Sequence, residues 1–214
     1  MIQPNSPQET LLQPARQQDD IALRVDIYAM LARLFRQPPN QQILTWLSEL
    51  DVQMPEGSMH DKAQMQGMAA TWPVLRLAAQ TTSLLAVEEE YQDLFIGIGR
   101  GEIVPFGSWY LTGSLMEMPL AHLRRDLAMM GFERDESVKE PEDHIAALLE
   151  VMAMLVESGT KEQQQQFFNR HIATWFERLC SDLKAAQSAV FYSAVAELAL
   201  QFLNLEKTQF AAYH

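Results

Sequence analysis

The sequence predicts an all-α protein, and three observations predict it. Leu and Ala supply 27 and 24 of the 214 residues, against 10 Val and 9 Ile, a balance that favours helices over strands. Apolar residues recur at spacings of three and four over long windows. No run alternates with period two between hairpin turns. About eight to ten helices of ordinary length fit the chain.

Taken in order, residues 1–17 read as a flexible arm, rich in glutamine and carrying Pro4, Pro7 and Pro14. The first helix is expected to start near Asp19 and Asp20, whose acids suit a helix N-terminus. Its stripe is Ile21, Val25, Tyr28, Ala32 and Phe35, and Pro38-Pro39 stops it. A second helix is expected over 40–50, then a loop over 51–58. Helical signal returns at His60, breaks near Pro73 and resumes through Ala79. A further helix, 83–95, carries Glu88-Glu89-Glu90, read as a solvated face. Residues 97–110, with Gly97, Gly99, Gly101, Pro105 and Gly107, read as irregular. A helix over 115–130 closes at Gly131, and 132–140 is a charged linker. Pro141 is placed at a first helical position, ahead of the stripe Ile145, Leu148, Leu149, Met152, Leu155 and Val156. Helices over 161–183 and 185–205 finish the chain.

Composition narrows the function classes. Hydrophobic residues make up 48% and aromatics 9%, enough for a core and too rich for a disordered chain. The single Cys180 excludes an internal disulfide and a cysteine-based zinc site, fits a reducing compartment, and reads as a buried structural thiol. Sixteen basic against 28 acidic side chains leave a formal charge of −12. That charge disfavours DNA, RNA and anionic membranes and favours cationic partners. The best apolar run, Ile145 to Val156, is interrupted by Glu150 and falls short of the roughly 18 residues of a membrane span. The polar start of the chain lacks the regions of a secretory signal, so a soluble cytoplasmic protein is expected.

Several catalytic templates are missing. The sequence has no His-Glu-x-x-His, and no Glu stands three residues before a histidine, as a di-iron carboxylate bundle requires. Gly97-Ile98-Gly99-Arg100-Gly101 is followed by Glu102 rather than by Gly-Lys-Ser/Thr, and reads as a turn. No metal or other cofactor is expected.

Two segments stand out. One is Glu90-Tyr91-Gln92-Asp93-Leu94-Phe95-Ile96-Gly97-Ile98-Gly99, continuing through Pro105-Phe106-Gly107-Ser108-Trp109-Tyr110-Leu111. The other is Glu140-Pro141-Glu142-Asp143-His144-Ile145. Both resemble stretches of the TorD/DmsD/NarJ family of molybdoenzyme maturation chaperones, and His171-Ile172-Ala173-Thr174-Trp175 is similar to that family's late His-x-x-x-Trp. Here Glu142 stands where the family's first Asp is usual, and Ile98 where a Pro is common. The resemblance covers about residues 20–205. It implies two helical subdomains, 18–131 and 141–214, joined by a hinge at 132–140. It also implies a chaperone that binds the twin-arginine signal peptide of a molybdenum-cofactor oxidoreductase and holds it from export until the cofactor is inserted. Such a peptide has a dicationic head and an apolar tail, so its receptor needs carboxylates beside an apolar groove.

On that reading Trp109, Tyr110, Asp143 and His144 line one peptide groove, with Ser108 and Glu142 at its margin. Each has a plainer reading as well: Glu142 and Asp143 as partners of a helix dipole, His144 as a hydrogen-bonded core residue, and His171 with Trp175 as a stacked core pair. Phe95 and Leu94 read as core. The alternative function is a helical metal- or nucleotide-dependent hydrolase using Asp143, His144 and Glu150. Monomer and domain-swapped dimer are both open.

Overall fold

The computed structural model describes residues 7–51, 62–97, 100–133 and 138–211, with side chains from residue 18 of the first helix and residue 66 of the third. The described residues form ten α-helices: α1 Pro7–Arg36, α2 Gln41–Glu49, α3 Lys62–Thr81, α4 Leu84–Tyr91, α5 Gly107–Thr112, α6 Met118–Met129, α7 Ile145–Ser158, α8 Lys161–His171, α9 Phe176–Ala185 and α10 Phe191–Ala211. One π-helical turn, Gln92–Ile96, extends α4. Among the described residues the one β-type pairing is a single bridge between Phe106 and His144. The all-α prediction holds.

Local chemistry sets many of the boundaries. Asn40 and Ser83 accept the backbone N–H of Ile43 and Ala86 and start α2 and α4. Thr160 and Gln163 form a reciprocal capping box on α8. The predicted α7 stripe is buried at every position, and α7 packs most extensively against α1. α10 lies on α3 and α9, and α2 rests on α3. Buried aromatics from α1, α8 and α10 (Tyr28, Phe35, Phe167, Phe168, Tyr192, Phe202) belong to one continuous core. Residues 18–131 and 141–214 share that core.

A buried polar knot pins three helices inside it. Arg24 on α1 donates from Nε and Nη2 to Glu206 on α10, at 2.8 and 2.7 Å. Tyr28 adds its hydroxyl at 2.9 Å, and Gln164 on α8 accepts from Arg24. Removing Arg24 would strand the Glu206 carboxylate in the core, a loss of about 3–5 kcal/mol.

Four boundaries differ from the sequence reading, three of them for a physical reason the structure shows. α1 starts at Pro7, not near Asp19, so only 1–6 of the expected arm lies outside the described residues. α3 runs unbroken through Pro73. Met68, Trp72, Leu75 and Ala79 are buried along it, and this packing outweighs a proline cost of about 3 kcal/mol. The expected helix over 161–183 is two, because the chain turns at 172–175. There the Trp175 indole N–H donates to the His171 carbonyl at 2.7 Å and satisfies the end of α8. The last helix starts at Phe191 rather than 185 because Glu90, expected on a solvated face, is buried against it. Its carboxylate accepts the N–H groups of Val190, Phe191 and Tyr192 at 2.8, 3.0 and 2.7 Å. Glu88 and Glu89 are exposed, as expected. Cys180 is buried, and that burial pushes its thiol up to about 12. The expected loop over 51–58 and the middle of the linker lie largely outside the described residues.

Candidate functional site

The first signature segment is a folded knot. Tyr91 donates its hydroxyl to the Arg36 carbonyl at 2.8 Å, where α1 ends. Burial, then the nearby Glu140 charge, raises the phenol to about 12. Leu94 is buried, and the Phe95 ring packs on Tyr91, Phe35 and Tyr192, in line with a core role for both. Gly97 sits at φ 58°, and a Cβ there would lie 2.4 Å from the Arg100 carbonyl oxygen. At Gly101 a Cβ would meet the Leu94 carbonyl oxygen at 2.4 Å. Both positions therefore require glycine. The turn returns the chain so that Ile103 donates to the Leu94 carbonyl at 2.8 Å.

From there the chain runs to the second segment and is stapled to it. The Gly107 N–H donates to the Asp143 carbonyl and the Ile145 N–H to the Pro105 carbonyl, both at 2.9 Å. The Phe106 and His144 rings meet edge to face at 4.9 Å. The Asp143 carboxylate completes the staple. Its Oδ2 accepts from the Ser108 N–H at 2.7 Å and from the Ser108 hydroxyl at 2.5 Å, at the start of α5. Residues 107–110, expected to be irregular, are helical and belong to α5.

α7 begins at Ile145, four residues after Pro141. His144 is its N-cap, and Nδ1 accepts the Ala146 N–H at 3.1 Å. The imidazole must be neutral at Nδ1 to accept, and burial, then the Arg36 charge, lowers its pKa to about 3. Glu140 lies 3.7 Å from the other ring nitrogen. Arg36 joins Glu140 at 2.5 Å and Glu150 at 2.8 Å. The Glu140 carboxyl is raised by burial, with Arg36 opposing.

The six expected site residues are therefore neighbours with different surroundings. Ser108, Asp143 and His144 are buried and joined through the staple. Tyr110 is buried too, and its ring stacks on Trp175 at 5.4 Å and 21°. Trp175 thus stacks on Tyr110, while His171 lies against Phe167. Trp109 is half-buried under the Arg100 guanidinium, 4.7 Å from its ring centre. Glu142 is held at 3.0 and 2.9 Å by Nε and Nη2 of Arg124 on α6.

Asp143 also lines a pocket of about 220 Å³ between α5, α6, the start of α7 and the end of α8. Leu111, Pro119, His122, Arg170 and Trp175 are among the other walls. Sequence reading placed none of the first four in the site, because three separate helices contribute them. Two wall residues share a buried partner: Asp126 is bonded to His171 at 2.8 Å and Arg170 at 2.9 Å. Burial lowers the His171 pKa, with the Asp126 hydrogen bond opposing. Among the described residues Asp143 forms no ion pair, and its Oδ1 is buried without a hydrogen-bond partner.

Comparison with known proteins places this arrangement. A family model described as nitrate reductase delta subunit matches residues 61–181, which include both stapled segments. The chain belongs to that family. It is similar to the chaperone protein TorD of Vibrio cholerae serotype O1, 24% identical over 198 residues spanning 86% of this chain and 90% of that one. It also resembles the chaperone protein TorD of Histophilus somni, 27% identical over 134 residues spanning 61% and 68%. An Archaeoglobus fulgidus protein named for redox enzyme maturation superposes with a TM-score of 0.55 at 17% identity, covering 85% of this chain and 94% of that one. At that identity the likeness is one of fold.

The family assignment makes this chain a molybdoenzyme maturation chaperone and not an enzyme. The hydrolase alternative is thereby set aside, and the geometry agrees: Glu150 is paired with Arg36, and His144 Nδ1 is occupied by the helix cap. Among the described residues no helix is long and apolar enough to cross a membrane.

Proposed function

We propose that this chaperone works in the cytoplasm and binds the twin-arginine signal peptide of its molybdoenzyme client, holding the client from export until the cofactor is in place. One observation carries the reading. Asp143 is a buried carboxylate with an unpartnered oxygen and no ion pair among the described residues, on the wall of a pocket sized for one side chain. A buried carboxylate gains most from a charged donor with several N–H groups, and a guanidinium supplies them. Ser108 and His144 act as positioning residues: Ser108 fixes the carboxylate, and His144 fixes the backbone that carries it. Tyr110 holds the Trp175 wall, and Trp109 and Glu142 border the groove.

Calorimetry with a synthetic twin-arginine leader, its Lys-Lys variant and the Asp143→Asn protein tests this. The asparagine keeps an oxygen for Ser108, so melting should stay near wild type. Loss of a charge-assisted bond of about 1.5–3 kcal/mol predicts leader affinity roughly ten- to hundredfold weaker, with a flatter salt dependence. Equal binding by a folded Asp143→Asn protein would remove the proposal. The linker at 132–140 further suggests exchange of the C-terminal helices between two chains, in equilibrium with a monomer.

A further inference from the structure

The pocket beside Asp143 admits a side chain but not a peptide. Its volume of about 220 Å³ lies below the roughly 300–1,000 Å³ of sites that enclose a small ligand. An apolar stretch attached to an arginine held there must lie outside it. An exposed apolar stretch leads out of the pocket. Leu111 and Pro119 line the pocket, and the chain between them carries Leu115, Met116 and Met118. These four large side chains, Leu111 included, are 44, 46, 73 and 61% exposed.

The backbone holds this surface in an unfavourable form. Met116 has φ 59° and is the one non-glycine residue of the described chain with positive φ. A left-handed conformation costs an L-residue of this kind free energy, and nothing offsets that cost through burial of the Met116 side chain. Methionine is also the side chain best able to adapt to varied apolar partners. The exposed apolar side chains of α2 to α4 (Trp46, Val74, Leu77 and Leu85) do not line the Asp143 pocket.

We infer that the lip formed by Leu111, Leu115, Met116 and Met118 seats the apolar run of the client's leader while its arginine enters the Asp143 pocket. The inference rests on the proposed leader binding and adds where the rest of the leader lies. Charge complementarity selects the occupant. Arg170 on the pocket wall is paired with Asp126, so the carboxylate left without an ion pair beside the lip is that of Asp143, with Oδ1 open to a donor. A ligand that is apolar throughout would leave Oδ1 buried without a donor, and a purely cationic one would leave the lip in water. A peptide with both parts satisfies both surfaces.

Three fluorescently labelled leaders distinguish the possibilities by anisotropy: the native pattern, a Lys-Lys form, and a form whose apolar run carries serine substitutions. They are titrated into wild type, Leu115→Ser/Met118→Ser, Met116→Gly and Asp143→Asn proteins, with melting measured for each. The lip variants change exposed side chains, so unchanged melting is expected, and glycine at 116 relieves the left-handed backbone. The expected result is at least tenfold weaker binding of the native leader by Leu115→Ser/Met118→Ser. That variant should no longer discriminate against the serine-substituted leader while still preferring Arg-Arg over Lys-Lys. If folded lip variants bind the native leader as wild type does, or still discriminate against the serine form, the lip assignment is wrong while leader binding stands. If wild type binds no leader, leader binding and the lip assignment both fall.

Discussion

His144 shows how one side chain can look like a ligand and serve as a joint. Its Nδ1 closes the first turn of α7, its ring packs on Phe106, and its backbone forms the single bridge to the other signature segment. The facing charged groups are Arg36, Glu140 and, through Arg36, Glu150. The folded pKa is depressed from 6.5 to about 3, first by burial and then by Arg36. The neutral form is therefore the one the fold stabilises. That contribution is fully present above the unfolded pKa near 6.5 and is lost as pH falls toward 3, by about 1.4 kcal/mol for each pH unit in that window. Asparagine is a good N-cap and does not titrate. His144→Asn should match wild type in melting temperature within a few degrees at pH 8 and lose less on acidification to pH 4. Parallel acid limbs for the two proteins would show that His144 does not control this region.

At the scale of elements, the same division runs between what neighbours in sequence dictate and what distant residues supply. The α7 stripe, the helix starts near Asn40 and Ser83 and the stop at Pro38-Pro39 depend on residues a few positions apart, and the sequence alone locates them; the structure adds that Asn40 and Ser83 are the caps. Glu90 is different. It starts α10 by accepting three N–H groups about a hundred residues away, and nothing near it in sequence distinguishes it from the exposed Glu88 and Glu89. Glu90→Ala would leave the Phe191 and Tyr192 N–H groups buried without their acceptor and should cost about 2 kcal/mol or more. Glu89→Ala should stay within about 0.5 kcal/mol of wild type. Urea unfolding of both proteins decides this, and equal midpoints would contradict the capping role. The break between α8 and α9 was illegible for a related reason: residues 172–175 contain neither glycine nor proline, and the turn depends on the Trp175 indole reaching the His171 carbonyl. For the site, the two signature segments are evident in sequence and the structure joins them. The pocket they border needs Leu111, His122 and Arg170, which only the packing of α5, α6 and α8 brings together.

At the scale of the whole molecule, the core is the argument for chain exchange. α1 packs on α7 and α3 on α10, so every major interface between 18–131 and 141–214 can form within one chain or between two with the same contacts. Exchange then costs mainly the association entropy and whatever the linker at 132–140 requires. The Arg24–Glu206 pair offers a test, because one partner lies on α1 and the other on α10. Arg24→Glu alone places two carboxylates together, and Glu206→Arg alone places two guanidiniums together; each protein should be destabilised by about 3–5 kcal/mol. In a swapped heterodimer of the two, the carboxylate introduced on α1 of one chain meets the guanidinium introduced on α10 of the other. The second pair in that dimer is the native Arg24–Glu206. Both faults are corrected at once, and only by exchange. Co-refolding the two variants should therefore yield a 1:1 dimer by light scattering, with a melting temperature near wild type and above that of either variant alone. Two separate populations that each melt early, with no mixed dimer at any protein concentration, would show that the C-terminal helices do not exchange and that the linker serves only to join them in cis.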